Sequence, residues 1–166
     1  MKKISILLFG LLLTLSFAVN AQSNNEVKPP LRVYSSFSYN KPLQGMDRYD
    51  YGFGVISNFD FNFNEHFAAR LDIGWNDYSG AEKAYVDQNG NTHTDHPNMS
   101  VWEFTGGLRT SLGPVYLEGR GGYYTGVNSW GYVPAVGVVF WKLDLQAAYT
   151  IVGDKQWATL RLGYYF

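Results

Sequence analysis

The sequence predicts an all-β protein: an eight-stranded, antiparallel, up-and-down transmembrane β-barrel with a polar, charged interior. Three observations lead there. From Leu31 onward, polar and apolar residues alternate with period 2 in eight segments, roughly 31–40, 49–63, 67–78, 99–112, 115–125, 132–140, 143–151 and 157–166. No helical period competes with them. The links between segments alternate between tight turns and longer polar loops, and the charges within each segment gather on one face.

Before the first segment, MKKISILLFGLLLTLSFAVNAQ has two lysines, an apolar run from Ile4 to Val19 and small residues around Ala21. That layout is a secretory signal peptide over residues 1–21, since the apolar run falls short of the ~20 residues a spanning helix needs. Residues 22–30, ending in Pro29-Pro30, form a polar, disordered periplasmic leader, and residues 31–166 form the barrel. Cysteine is absent, so no disulfide or lipidated cysteine tethers the chain. Without Lys2 and Lys3, 11 basic residues remain against 14 acidic ones, a balance that gives nucleic acid no attraction. Charged residues make up 16% of the chain, below the ~25% of soluble domains. With no long apolar run after residue 22, a closed barrel is the one way this chain crosses a bilayer with its backbone paired.

The turns set the register. Tight turns fall at Asn64-Glu65-His66, Gly113-Pro114 and Trp141-Lys142; longer links run over 41–48, 79–98, 126–131 and 152–156. Tight turns at one end and loops at the other are the layout of outer-membrane barrels. Within the longest link, Asn89-Gly90 between alternating residues predicts a β-hairpin standing above the membrane. Counting outward from Gly113-Pro114 places Arg109 opposite Glu118 and Gly107 opposite Arg120. The same count at the other two turns puts Asp60 opposite Arg70, Asn58 opposite Asp72, and Val138 opposite Leu145.

One face of the sheet therefore collects Arg32, Asp50, Asp60, Arg70, Asp72, Glu103, Arg109, Glu118, Arg120, Asp144 and Arg161, whereas the other holds only Asp77, near a loop. Turned to lipid, each Arg near the midplane would cost ~2–4 kcal/mol, and five together would rival the ~5–15 kcal/mol stability of a whole domain. The charges therefore point into the lumen, where near-balance lets them pair. A soluble sandwich with these charges in water is the competing arrangement. Against it stand aromatics at both ends of the uncharged face: Phe61, Phe63, Phe67, Phe140 and Phe166 near the turns, and Tyr39, Tyr49, Trp75, Trp102, Tyr123 and Tyr132 near the loops. Such girdles belong at headgroup depth.

The whole mature chain, after residue 21, resembles the small eight-stranded outer-membrane barrels of the OmpX, OmpA transmembrane-domain and OmpW type. Its ending, ATLRLGYYF, is similar to the terminal strand through which the outer-membrane insertion machinery recognises its clients, with Leu160, Leu162, Gly163, Tyr164 and Phe166 carrying the pattern. The resemblance implies this fold and residence in the outer membrane of a Gram-negative bacterium; contact with outer-membrane lipid and lipopolysaccharide and a monomeric state are expected with it. Roles in that group range from structural anchors and adhesion factors to narrow conduits and lipid-modifying enzymes.

Catalysis would need an oriented base. His93, Asp95, His96 and Ser100 lie in or beside the long loop, with nothing to orient an imidazole, and His66 fills a turn. Asp87, His93, Asp95 and His96 are metal-competent residue types, but their spacing matches no closed site. Asn98-Met99-Ser100 matches a glycosylation sequon by chance, and Gly119, Gly121 and Gly122 precede no helix that would make them a phosphate cradle. An eight-stranded wall encloses a space that side chains fill. The expectation is a non-enzymatic barrel without cofactor or metal, its lumen sealed and its loops used for surface contact. A narrow conduit for small apolar molecules, by way of the aromatic upper interior around Tyr78, Tyr124 and Trp157, is the alternative; a lipid-modifying enzyme is the second.

Overall fold

The computed structural model describes residues 30–80, 83–86, 92–95 and 97–165. The signal peptide, residues 22–29 of the leader, Asp87, Asn89, Gly90, His96 and Phe166 lie outside the described residues. Ten strands follow in order: β1 (Leu31–Gln44), β2 (Tyr51–Asn62), β3 (Phe67–Ser79), β4 (Lys83–Val86), β5 (Thr92–Asp95), β6 (Asn98–Leu112), β7 (Val115–Tyr124), β8 (Ser129–Phe140), β9 (Leu143–Val152) and β10 (Lys155–Tyr165). Eight of them close a barrel in the order β1-β10-β9-β8-β7-β6-β3-β2. The remaining two, β4 and β5, pair only with each other, a hairpin inserted between β3 and β6.

Every pairing is antiparallel, and the turns impose the register counted from the sequence. Arg109 faces Glu118 and Gly107 faces Arg120 across β6 and β7. Asp60 faces Arg70 and Asn58 faces Asp72 across β2 and β3, and Val138 faces Leu145 across β8 and β9. Closure comes from β1 on β10, where Ser38 faces Arg161.

The strands run further at the loop end than hydrophobic alternation implies. β1 continues to Gln44 rather than 40, β8 begins at Ser129 rather than 132, and β10 begins at Lys155 rather than 157. The expected 152–156 loop contracts to a tight Gly153-Asp154 turn, with Gly153 at φ 60°. Backbone pairing does not require a lipid-facing side chain, so the ladder persists into polar sequence after the amphipathic signal has ended. β2 departs the other way, starting at Tyr51 rather than 49.

Burial alternates along the barrel strands and divides the wall into two surfaces. The outer face shows Phe37, Leu71, Phe104, Leu108, Leu117, Leu145, Leu160 and Leu162. Phe61, Phe63, Phe67, Phe140 and Trp141 ring its turn end, and Tyr39, Tyr51, Trp102, Trp130 and Tyr132 its loop end. Asp77, on the outer face near the loops, accepts a hydrogen bond from the Ser100 hydroxyl at 2.6 Å. Tyr49 is not part of this girdle: it lies in the 45–50 loop and turns its ring to Tyr78 inside the barrel, centroids 6.4 Å apart.

Candidate functional site

The lumen is where the unusual chemistry lies. Nine of the eleven charged residues assigned to the inner face, Asp60, Arg70, Asp72, Glu103, Arg109, Glu118, Arg120, Asp144 and Arg161, are buried, each at most 5% exposed. Asp50 is a correction. It has the inward parity, but β2 begins one residue later and Asp50 sits exposed in the loop, its N–H donating to Ser79 O at 2.9 Å and its carbonyl accepting from Lys41 Nζ at 3.0 Å. Arg32 is half-buried at the turn-end rim. Its guanidinium lies over the Tyr165 ring at 4.8 Å, and none of the ion pairs among the described residues includes it.

The buried charges form one connected belt. Near the turn end, Arg109 spans three carboxylates: Nε donates to Glu118 at 2.9 Å, Nη1 to Asp60 at 3.1 Å and Nη2 to Asp144 at 3.4 Å. Arg70 donates to Asp72 at 2.7 Å and to Glu118 at 3.0 Å. At mid-height Asp72 also receives Arg120, and Arg161 at 2.7 Å; Arg161 then reaches Glu103 at 2.6 Å. Buried ions are tolerated on this condition, that each charge finds opposite charge and hydrogen bonds nearby. Guanidinium forks suit the task because one side chain can serve two or three carboxylates.

Tyrosines complete the belt. Tyr116 donates to Asp144 Oδ1 at 2.5 Å and Tyr34 to Asp144 Oδ2 at 2.7 Å, while the Tyr165 hydroxyl lies 3.3 Å from both Asp60 and Asp144. Tyr116 and Tyr165 share the inward parity of Glu118 and Arg161, the signal by which the sequence places them beside the carboxylates. These rings fit because glycines face them. A Cβ on Gly137 would overlap the Tyr116 ring, and one on Gly163 or Gly52 would come within 2.8 or 2.6 Å of Tyr34 or Tyr78.

Above the belt lies a layer of neutral hydrogen bonds, then an apolar plug. Asn76 accepts from Ser38 and Asn40, both at 2.8 Å, and Thr159 donates to Asn40 at 2.7 Å. Trp157, 2% exposed, sits among Met46, Val101, Val133 and Val152, with Tyr78 and Tyr124 edge-on at 5.8 and 5.6 Å. The aromatic upper interior is therefore packed. At the opposite end, a cavity of about 130 Å³ opens among the turns, reaching Arg32, Asp60, His66, Arg109 and Tyr116.

Of the loop-end residues considered for catalysis or metal binding, Asp87 and His96 lie outside the described residues. Ser100 is exposed and bonded to Asp77; His93 and Asp95 fall on β5. Groups of three or more His, Cys, Asp or Glu able to hold a metal are absent among the described residues. At the rim, the Lys155 ammonium donates to Asp154 at 3.0 Å, and that hydrogen bond holds the Asp154 carboxyl below the usual carboxylate range.

This architecture has counterparts among solved structures. The chain is similar to Ail, the attachment invasion locus protein of Yersinia pestis, with a TM-score of 0.53 over 82% of this chain and 97% of that one, at 13% identity. The fold is that of Ail. Ail in complex with the heparin analogue sucrose octasulfate gives a TM-score of 0.50, at 14% identity over 82% of this chain and 99% of that one. No family model matches the chain, and no curated protein matches it in sequence. The likeness to Ail covers the barrel and carries the fold: eight antiparallel strands closed on themselves, here with a charged interior.

Proposed function

We propose that this chain is a non-enzymatic, monomeric barrel of the Gram-negative outer membrane, with a sealed lumen, that presents its loop end as a contact surface outside the cell. On this reading residues 1–21 are removed on export, the turns face the periplasm, and Leu160, Leu162, Gly163, Tyr164 and Phe166 guide insertion. No cofactor is required. The observation that carries the proposal is the filling of the lumen, with a charged belt below and the Trp157 plug above. A barrel so filled is a rigid pedestal. What it raises is the β4–β5 hairpin, whose outer edges pair with no other strand among the described residues. Unpaired strand edges are templates for contact with another chain.

The partner differs in charge from the ligand in the Ail complex. In this chain Asp47, Asp50, Asp77, Glu82, Asp87, Asp95 and Asp154 outnumber Lys41, Arg48, Lys83 and Lys155 at the loop end. A polysulfated sugar is repelled by such a surface, so the proposal is a protein partner and no binding of sucrose octasulfate. Planar-bilayer recording tests the sealed lumen: the purified barrel gives no stable single-channel steps, and reproducible steps reject it. Deleting residues 81–96 tests the contact role. The shortened protein keeps heat-modifiable gel migration but loses adhesion of cells that display it; unchanged adhesion rejects the hairpin as the contact element.

A further inference from the structure

Three tight turns close the turn end of the barrel, and two use ordinary turn chemistry. Gly113 takes the left-handed position of one, at φ 64°. In another, the Asn64 side-chain oxygen accepts the N–H groups of His66 and Phe67, both at 2.8 Å. The third is Trp141-Lys142, where Trp141 stands at φ 55°. Among the described residues the other non-glycine with positive φ is Asn128, a type that tolerates it, whereas a bulky side chain there is a true outlier. Asn or Gly would serve a two-residue hairpin better.

Packing inside the barrel does not explain the choice, because Trp141 is 78% exposed. Its surroundings do. Phe140 and Leu143 flank the turn and Tyr164 lies beside it on β10, all exposed on the outer face. Lys142 Nζ lies over the Tyr164 ring at 5.9 Å. The patch is continuous with the hydrocarbon-compatible wall and lies where that wall ends. An indole joins an apolar body to an N–H donor, which suits the membrane interface. An ammonium at the same depth attracts anionic lipid surfaces. Strained backbone kept where ordinary turn chemistry would suffice points to a use for the side chain.

We propose that the Trp141-Lys142 turn docks the phosphate-bearing headgroup of an anionic phospholipid in the leaflet at the turn end, with Phe140, Leu143 and Tyr164 against its acyl chains. This does not depend on the lumen being sealed or on what the hairpin contacts; it depends only on the barrel lying in lipid.

The test is urea unfolding of the refolded protein in vesicles of phosphatidylcholine alone and of phosphatidylcholine mixed with phosphatidylglycerol. The wild type gains stability from phosphatidylglycerol. K142Q loses about fivefold of that gain in the folding equilibrium constant, the equivalent of ~1 kcal/mol for one Lys at an anionic surface. W141N unfolds at lower urea than the wild type in both vesicles, although Asn suits the backbone better. A W141N variant that unfolds at higher urea, or a K142Q variant that keeps the whole gain, overturns the proposal. If W141N does not refold, W141F supplies the measurement, since it keeps the bulk and loses the indole. Phospholipid brominated beside its glycerol backbone quenches the wild type more than W141F; equal quenching overturns the proposal.

Discussion

Replacing Arg109 with Met asks whether the lumen is a dry ionic belt or a water-filled space. Met conserves much of the volume and removes the charge. In the folded protein it takes away partners of Glu118 at 2.9 Å, Asp60 at 3.1 Å and Asp144 at 3.4 Å, and a guanidinium 3.8 Å above the Tyr116 ring. The losses are unequal. Glu118 keeps Arg70 at 3.0 Å and Arg120 at 2.7 Å, and Asp144 keeps the hydroxyls of Tyr34 and Tyr116. Among the described residues Asp60 keeps the Tyr165 hydroxyl at 3.3 Å and Arg70 at 4.0 Å. Stranding a buried charge costs ~3–5 kcal/mol, whereas a pair in water at 4 Å is worth ~1 kcal/mol. Arg109→Met is therefore expected to lose about 3–5 kcal/mol in urea unfolding from vesicles, followed by heat-modifiable gel migration. Adding Asp60→Asn should restore at least half of that loss, because it neutralises the stranded carboxylate while keeping its shape. A loss near ~1 kcal/mol or below, with no rescue by Asp60→Asn, would mean that solvent screens the charges, and the ionic belt would be refuted.

The two faces of the wall give opposite expectations for one added methyl. Gly137→Ala drives a Cβ into the Tyr116 ring, which its bond to Asp144 holds in place, and costs ~1–3 kcal/mol as overpacking. Gly121→Ala faces outward with its nearest neighbour, Gly131 O, at 3.7 Å, and leaves the unfolding midpoint unchanged or higher; equal losses at the two positions contradict the inside-outside division. Spin labels at Leu108, Leu145 and Leu162 should report acyl-chain contact, and water contact at all three would show that the outer face is not in lipid.

The barrel was legible because three turns could be located from the sequence, and each then fixed the register of its strand pair by counting. Parity did the rest: a residue two steps from a known inward charge is inward as well. Parity fails where the strand itself stops. Asp50 has the right parity relative to Asp60, yet the chain has already left β2 at that position, and counting carries no information about where pairing ends. The opposite error arises at Lys155 and Gln156, whose polarity resembles a loop although their backbones remain in β10. The sequence also could not choose partners within the belt. Asp60 lies directly across the ladder from Arg70, but Arg70 gives its hydrogen bonds to Asp72 and Glu118 and stays 4.0 Å from Asp60, which is held more closely by Arg109 from β6. A lumen narrow enough for side chains to meet across it makes pairing a property of the cross-section, which adjacency along the sheet does not encode.

The same narrowness explains why tyrosine and glycine recur on the inner face. A ring can enter an eight-stranded lumen only where the opposing wall gives up its own side chain. Tyr116 lies over Gly137 and Tyr78 over Gly52, each pair directly opposed across adjacent strands, and Tyr34 lies over Gly163. Each arrangement places a hydroxyl or ring at a chosen height without widening the barrel. Tyr34 and Tyr116 thereby deliver their hydroxyls to Asp144 among the arginines, whereas Tyr78 stands higher and packs edge-on against Trp157. One wall device thus serves both the ionic belt and the apolar plug. Exchanging the members of one pair, Gly137→Tyr with Tyr116→Gly, conserves volume but moves the hydroxyl to another strand and leaves Asp144 Oδ1 without its donor. If that double variant matched the wild type in stability, filling alone would be the role of these tyrosines, and their placement over the carboxylates would be incidental.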